Sequence, residues 1–140
     1  MLSRFLLLLL AAGLALPSLR AAEKTAAPAL DPDLTIDYVC LLTKGSFAGV
    51  GMMEERIKTQ AAQNAYISEL AAKGKLLVAG PMADKSEWQG LYIFKCATFA
   101  EAQSLALGDP MVRASRLKFE IHPWITEKGS IRDPAFPPGK

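Results

Sequence analysis

The sequence predicts an α+β fold of the ferredoxin-like kind, in which one antiparallel four-stranded sheet carries two helices on one face. The first observation is the order of the segments, β-α-β-β-α-β, which is the split arrangement of that fold. The second is that apolar residues occupy both faces of the first strand, so the face without helices also needs a cover. A homodimer whose two sheets face each other would provide that cover.

The first strand is predicted over Thr35–Leu42, where β-branched, aromatic and aliphatic residues dominate. The glycine-rich segment Lys44–Gly51 follows. Because no Gly-Lys-Ser/Thr sequence ends it, a mobile loop is favoured over a phosphate-binding loop. The first helix is predicted over Met53–Lys73, from apolar residues that recur three and four positions apart. Those residues are Ile57, Ala61, Ala65, Tyr66 and Leu70.

The central strand is predicted over Leu76–Ala79, a short apolar run between two glycines. Gly74 can take the left-handed conformation that ends the preceding helix. Gly80-Pro81 is expected to end the strand, because proline cannot donate a hydrogen bond to a neighbouring strand. The third strand is predicted over Gln89–Ala97, after a polar loop.

The second helix begins with the pattern of a capping box. Thr98 is the expected N-cap, and the Glu101 side chain can reach back to the backbone N–H of Thr98. Gly108 is expected to end this helix. The last strand, Arg116–Trp124, alternates between apolar and polar residues, as a strand with one buried face does. Its apolar residues on one face are Leu117, Phe119 and Ile121.

The chain begins with the pattern of a secretory signal peptide over residues 1–22. Arg4 supplies a positive charge, an apolar stretch of about a dozen residues follows, and Ala21 and Ala22 form a small-residue exit. That stretch is shorter than the roughly 20 residues of a spanning helix, so cleavage is favoured over an uncleaved anchor. We therefore expect a periplasmic or secreted protein with no stable membrane insertion after cleavage.

The mature chain is expected to be close to neutral. The full chain has a formal net charge of +2, and the predicted cleavage removes two arginines, Arg4 and Arg20. No basic stripe interleaved with aromatic residues is visible, which argues against a nucleic-acid partner. The domain is expected over residues 34–125, between a flexible lead-in at 23–33 and a Pro/Gly-rich tail at 126–140.

Three motifs lie in this predicted domain: GKLLVAGP from Gly74 to Pro81, DPMV from Asp109 to Val112, and IHPW from Ile121 to Trp124. Together they resemble the YCII-related (YciI-like) domain family over about Ile36–Trp124. The resemblance implies a dimeric α+β barrel with a histidine–aspartate pair in a cleft. It also implies isomerase- or dehydrochlorinase-type chemistry on aromatic-derived substrates for some members.

The position that the resemblance assigns to the family's histidine is Gln63 in this chain. A glutamine donates and accepts hydrogen bonds but exchanges no proton near neutral pH. Asp109 matches the family's aspartate, and the alternative role for it is to cap a short turn that begins at Pro110. Asp84 follows the central strand and would overhang the same cleft; a solvated loop residue is the alternative.

No metal and no other cofactor is expected, because one histidine and two separated cysteines do not supply three or four convergent ligands. His122 is expected at the surface or at a dimer edge, and Trp88 and Trp124 as packing residues. Cys40 and Cys96 are placed towards opposite ends of neighbouring antiparallel strands, so they are expected to remain free thiols.

Two functions remain open from the sequence. The first is an exported module that binds a small polar or aromatic-derived molecule in the barrel cleft without the family's histidine base. The second is a small exported lyase or isomerase in which Asp109 or Asp84 works with Gln63 to polarise a substrate. A homodimer is the expected assembly in both.

Overall fold

A computed structural model of the chain describes residues 30–132. The predicted signal peptide, most of the lead-in and the end of the tail lie outside these described residues. The strands are β1 (Leu34–Lys44), β2 (Leu76–Pro81), β3 (Trp88–Phe94) and β4 (Leu117–Glu127). The helices are α1 (Met53–Ala72), α2 (Phe99–Gly108) and the short α3 (Pro110–Arg113).

The four strands form one antiparallel sheet in the order β2-β3-β1-β4. β1 lies inside the sheet, where Val39 is opposite Ile93 of β3 on one side and His122 of β4 on the other. The helices pack on one face of this sheet. The predicted ferredoxin-like α+β fold is confirmed.

The hydrophobic core lies between the sheet and the helices. Its buried side chains are Tyr38, Cys40, Leu42, Leu70, Leu76, Tyr92, Phe94, Ala102 and Ala106. The buried face of α1 that the apolar spacing predicts is only partly confirmed, because Ile57 is 63% exposed whereas Leu70 is buried. The second half of α1 supplies its buried residues, so the regular spacing continues beyond the part of the helix that contacts the core.

The turn between α1 and β2 follows the sequence prediction. Gly74 has a φ of +66°, the left-handed conformation in which glycine is favoured. Its N–H donates to the carbonyl oxygen of Ala71 at 2.9 Å, and the N–H of Lys75 donates to that of Leu70 at 2.9 Å. This pair of hydrogen bonds is the Schellman motif, and it directs the chain from the helix into the sheet.

Three strands extend further than the sequence predicts. β1 covers Leu34–Lys44 instead of Thr35–Leu42. β2 continues through Gly80 and Pro81 instead of ending there. It is an edge strand, in which a proline without an N–H can be tolerated on the side away from the neighbouring strand. β4 continues to Glu127 because Leu34 and the residues after it in β1 supply its partners. β3 is shorter than predicted and ends at Phe94.

The capping box of α2 forms with one change of partner. The Thr98 hydroxyl oxygen accepts from the backbone N–H of Glu101 at 3.1 Å, as predicted. The Glu101 carboxylate accepts from the backbone N–H of Ala97 at 3.1 Å instead of that of Thr98. It also accepts from Lys75 Nζ at 2.6 Å, which joins α2 to the start of β2.

Both cysteines are free thiols, so that prediction is confirmed. Cys40 lies opposite Tyr92 in the β1–β3 register, whereas Cys96 lies beyond the end of β3.

Among residues 30–132, no helix is long and apolar enough to cross a membrane.

Candidate functional site

A cleft of about 550 Å³ opens between α1, the end of β2, the first half of β3 and the start of α3. Its polar lining comes from one phenol and four side-chain amides: Tyr92, Gln60, Gln63, Asn64 and Gln89. Its larger apolar lining residues are Leu42, Ile67, Met111 and Leu117. The volume lies within the roughly 300–1,000 Å³ that is typical of small-molecule sites.

A hydrogen-bonded network lies at the inner end of this cleft and joins three elements of the fold. Gln63 comes from α1, Tyr92 from β3, and Asp109 from the junction of α2 and α3. Gln63 Nε2 donates to the Tyr92 hydroxyl at 2.9 Å and to Asp109 Oδ2 at 3.0 Å. The Tyr92 hydroxyl donates to the same Oδ2 at 2.7 Å.

Asp109 uses its two carboxylate oxygens for two different tasks. Oδ1 accepts from the backbone N–H of Met111 at 2.6 Å, and Pro110 occupies the first position of α3. The residue therefore caps α3, as its Asp-Pro sequence indicates. Oδ2 belongs to the cleft network. Capping and a place at the site were alternatives in the sequence, but the side chain does both.

The network also explains how a carboxylate is tolerated in the interior. Asp109 is 0% exposed, and it follows the C-terminal end of α2, where the helix dipole disfavours a negative charge. Burying a carboxylate is costly unless hydrogen bonds compensate for the lost water. Tyr92, Gln63 and the Met111 N–H supply three such bonds.

Gln63 has little hydrogen-bonding capacity left for a ligand. Its amide nitrogen faces Asp109, because an amide oxygen in that position would be repelled by the carboxylate. Both N–H groups are then used, by Tyr92 and Asp109, and Oε1 accepts from Gln60 Nε2 at 2.9 Å. One lone pair on Oε1 remains, so Gln63 contributes to a ligand site mainly by holding its neighbours.

The outer amides are the groups available to a ligand. Gln60 Nε2 donates to Asn64 Oδ1 at 3.2 Å. Within residues 30–132, the amide oxygen of Gln60 and the amide nitrogen of Asn64 make no hydrogen bond. The cleft therefore offers one free acceptor and one free donor on neighbouring turns of α1.

The ionisation of Tyr92 is strongly disfavoured. Burial raises the pKa of its phenol, and the hydrogen bond to the Asp109 carboxylate raises that pKa further, while the donor from Gln63 lowers it only in part. Burial, followed by the nearby Asp109 charge, also raises the pKa of the Cys40 thiol to about 12. Tyr92 therefore stays a neutral hydrogen-bond donor near neutral pH.

Tyr66 fixes the distance between α1 and the end of α2. Its hydroxyl donates to the carbonyl oxygen of Leu105 at 2.8 Å. A Cβ atom at Gly108 would lie 2.4 Å from that hydroxyl oxygen, so only glycine allows this approach. Gly108 is the residue before Asp109, and this contact therefore also helps to place the carboxylate.

The other residues considered from the sequence lie elsewhere. Asp84 is in the exposed β2–β3 loop, where it accepts from the Ser86 hydroxyl at 2.9 Å, and it does not line the cleft. His122 is exposed, with Nε2 3.7 Å from a Glu120 carboxylate oxygen. Trp88 is also exposed, and it lines no part of the cleft. Trp124 is exposed on β4, like His122, and is likewise absent from the cleft lining.

In the part of the chain that the structure describes, no group of histidine, cysteine and acidic residues could hold a metal ion.

Tyr92 was missed by the sequence analysis. Its position in the third strand was predicted, but its partners are 29 and 17 residues away along the chain. One feature of the sequence pointed to its position. Tyr92 is two residues from both Gly90 and Phe94 in the same strand, so all three lie on the face of the sheet that the helices cover.

The sequence model of the YCII-related domain family matches residues 36–125 of this chain. No curated protein matches the sequence. Among solved structures, the chain is similar to 5-chloro-2-hydroxyhydroquinone dehydrochlorinase from Burkholderia phenoliruptrix, in complex with 2,5-dihydroxybenzoquinone. The TM-score is 0.47 at 23% sequence identity, and the match covers 63% of this chain and 92% of that one.

Proposed function

The chain belongs to the YCII-related domain family, and we propose that it is an exported homodimer that binds a small polar or aromatic-derived molecule in its cleft without a histidine base. The observation that carries the proposal is the Gln63–Tyr92–Asp109 network at the inner end of a cavity of about 550 Å³. Gln63 replaces the histidine that the family resemblance leads us to expect.

The chemistry of the lining indicates the kind of molecule. Tyr92 is the one ionisable residue that lines this cleft, and its raised pKa keeps it neutral. The apolar residues favour a flat ring or a short carbon skeleton. The free amide groups of Gln60 and Asn64 favour hydroxyl or carbonyl substituents.

The alternative, a small exported lyase or isomerase, has weaker support. Asp109 would have to exchange a proton with the substrate, but its carboxylate is fully buried and accepts three hydrogen bonds. Taking a substrate proton would require breaking at least one of them. Asp84, the other aspartate considered, does not line the cleft.

The face of the sheet opposite the helices supports a homodimer. Val39 and Leu41 of β1 lie there in register with Ile93 and Leu91 of β3. In the described part of the chain, the helices cover the other face. Val39, Leu41 and Leu91 are partly exposed in the single chain, whereas Ile93 is already buried. Soluble monomers rarely expose a large contiguous apolar patch, and a second copy would cover these three partly exposed side chains. We expect a dimer in sedimentation at micromolar concentration, and a monomer would contradict this part of the proposal.

Export is supported by the signal-peptide pattern of residues 1–22 alone. We expect the exported protein to begin between Ala22 and Ala27. N-terminal sequencing from the periplasm or medium measures this directly, and recovery of intact Met1 in the membrane fraction would indicate an anchor instead.

Binding is tested with 1,4-dihydroxybenzene (hydroquinone), which is neutral and small enough for the cleft, and with the 2,5-dihydroxybenzoquinone of the solved structure. NMR titration under nitrogen should shift the amide signals of Asn64, Tyr92 and Met111. Asn64→Ala should weaken binding by about 2- to 10-fold, the equivalent of one net hydrogen bond. Ser68→Ala is the matched control, because Ser68 lies one turn along the same helix and does not line the cleft.

Besides an absence of binding, two results would contradict the binding proposal. The first is a set of shifted signals elsewhere on the protein, with Asn64→Ala and Ser68→Ala behaving alike. The second is consumption of the probe by the wild-type protein that is lost in Asp109→Asn, because that result would support the lyase or isomerase.

A further inference from the structure

We propose that the molecule bound in this cleft carries a carboxylate, which Lys44, Arg56 and Arg116 hold at the outer end. This inference rests on the proposed binding function and adds the charge of the ligand to it. The observation behind it is a second cavity, also of about 550 Å³, that adjoins the first.

The two cavities lie side by side. Gln60, Asn64, Gln89, Met111 and Leu117 line both of them. From this shared boundary, the inner cavity leads to Tyr92, and the outer one leads to the first turns of α1. A ligand in the inner cavity therefore has the outer one directly beside it, at the residues that line both.

The outer cavity has a strongly one-sided charge. Its lining includes the three cations of Lys44, Arg56 and Arg116 and no aspartate or glutamate. None of the three takes part in an ion pair within residues 30–132. Lys73 and Lys75, which line a different cavity, are by contrast paired with Glu69 and Glu101. Converging cations without counterions attract an anion most strongly when it is partly shielded from water.

The three cations are attached to ordered backbone. Lys44 is the last residue of β1, and Arg56 lies in the first turn of α1. Arg116 Nη1 donates to the carbonyl oxygen of Val50 at 2.8 Å, and its own backbone oxygen accepts from the Gly45 N–H at 2.9 Å. A guanidinium has five N–H donors, so Arg116 can hold this loop and still bind a carboxylate.

The outer cavity also accounts for two exposed apolar residues. Met53 and Ile57 are 65% and 63% exposed, and both line it beside the cations. Apolar surface next to cations suits a molecule with a carbon skeleton and a carboxylate, rather than an inorganic anion. Glu55 lines a neighbouring groove together with Arg116 and Lys58. It forms no ion pair with Arg116 within residues 30–132, and neither Lys44 nor Arg56 lines that groove.

The test compares two probes that differ only in a carboxylate: hydroquinone and 2,5-dihydroxybenzoate. The carboxylated probe should bind at least about 10-fold more tightly at low ionic strength, and raising the salt concentration should reduce that advantage. Arg56→Gln and Lys44→Gln should each reduce the advantage by about 3- to 10-fold, as expected for a partly exposed charge-assisted hydrogen bond.

Lys58→Gln is the matched control. It removes the same charge from the same helix, but Lys58 lines the neighbouring groove instead of this one. Equal binding of the two probes, or an equal effect of Lys58→Gln and Arg56→Gln, would overturn the carboxylate proposal.

The pair of probes separates the two proposals. If hydroquinone binds at the inner cleft and the carboxylate adds nothing, this inference alone fails. If neither probe binds, the proposed binding function fails, and the carboxylate proposal fails with it.

Discussion

Tyr92→Phe is the most direct test of the inner network, because it removes one oxygen atom and keeps the ring. The hydroxyl donates to Asp109 Oδ2 at 2.7 Å and accepts from Gln63 Nε2 at 2.9 Å. Tyr92 is 3% exposed and Asp109 is 0% exposed, so water does not readily replace the lost partner. We expect the free energy of unfolding to fall.

The size of the loss follows from the geometry. The 2.7 Å separation is short, as is typical of a hydroxyl that donates to a carboxylate. A hydrogen bond to a charged group contributes about 1.5–3 kcal/mol. Gln63 and the Met111 N–H still donate to Asp109, so the loss stays below the roughly 3–5 kcal/mol of a buried charge left without a partner. We expect about 1.5–3 kcal/mol.

Urea unfolding measures this loss. With a slope of roughly 1–2 kcal/mol per molar urea for a small domain, the midpoint should fall by about 1–3 M. Tyr38→Phe is the matched control, because Tyr38 is a buried tyrosine of the same core whose hydroxyl makes no hydrogen bond among the described residues. A loss below about 0.5 kcal/mol for Tyr92→Phe, or equal losses for both variants, would refute the reasoning.

Three further predictions address the surroundings of the network. Gly108→Ala should lower the free energy of unfolding by about 1–3 kcal/mol, because the new Cβ atom would lie 2.4 Å from the Tyr66 hydroxyl oxygen. Urea unfolding measures this loss, which should be smaller when Tyr66→Phe has removed that oxygen. Cys40 should make the protein sensitive to alkali. The unfolded thiol ionises near pH 9.0 and the folded one near pH 12, so the unfolded state holds fewer protons and stability falls by about 1.4 kcal/mol per pH unit between them. Cys40→Ala should lack that part of the pH slope, and an unchanged slope would contradict the assignment. Gln63→His should introduce a group that titrates above pH 6.5, which NMR can follow.

The order of the elements could be predicted from the sequence because it depends on local patterns. The Asp109-Pro110 start of α3 and the Gly74 turn are determined by the residues in them. The end of β2 could not be predicted this way. Whether a strand tolerates Pro81 depends on its place at the sheet edge, which is set by the pairing of β2 with β3 alone.

The candidate site was predicted in part. The family resemblance drew attention to Gln63 and Asp109, and the structure brings these two side chains within 3.0 Å of each other. Tyr92 needed the tertiary structure, because its hydroxyl meets Gln63 and Asp109 only when the helices pack on the sheet. Asp84 was proposed from its position after the central strand, but the loop carries it to the surface. A position next to a strand end does not determine where a loop side chain is directed.

The Gln63→His prediction compares an imidazole with the amide that now donates to Asp109. The imidazole would lie where the amide nitrogen now is, 3.0 Å from Asp109 Oδ2. Burial lowers the pKa of a histidine, whereas a carboxylate at this distance raises it by about 1–3 units. Gln63 lies on the cleft wall and is 7% exposed, so we expect the carboxylate to dominate and the imidazole pKa to exceed 6.5.

The pH dependence of stability provides the second measurement. A histidine pKa that is raised on folding stabilises the protein fully below pH 6.5, and this contribution disappears as the pH rises through the folded value. Relative to wild type, Gln63→His should therefore be more stable at pH 6 than at pH 8. NMR titration gives the pKa, and a value below 6.5 would show that burial dominates. Glutamine at this position supplies the same donor to Asp109 at every pH, as the proposed binding function without proton exchange requires.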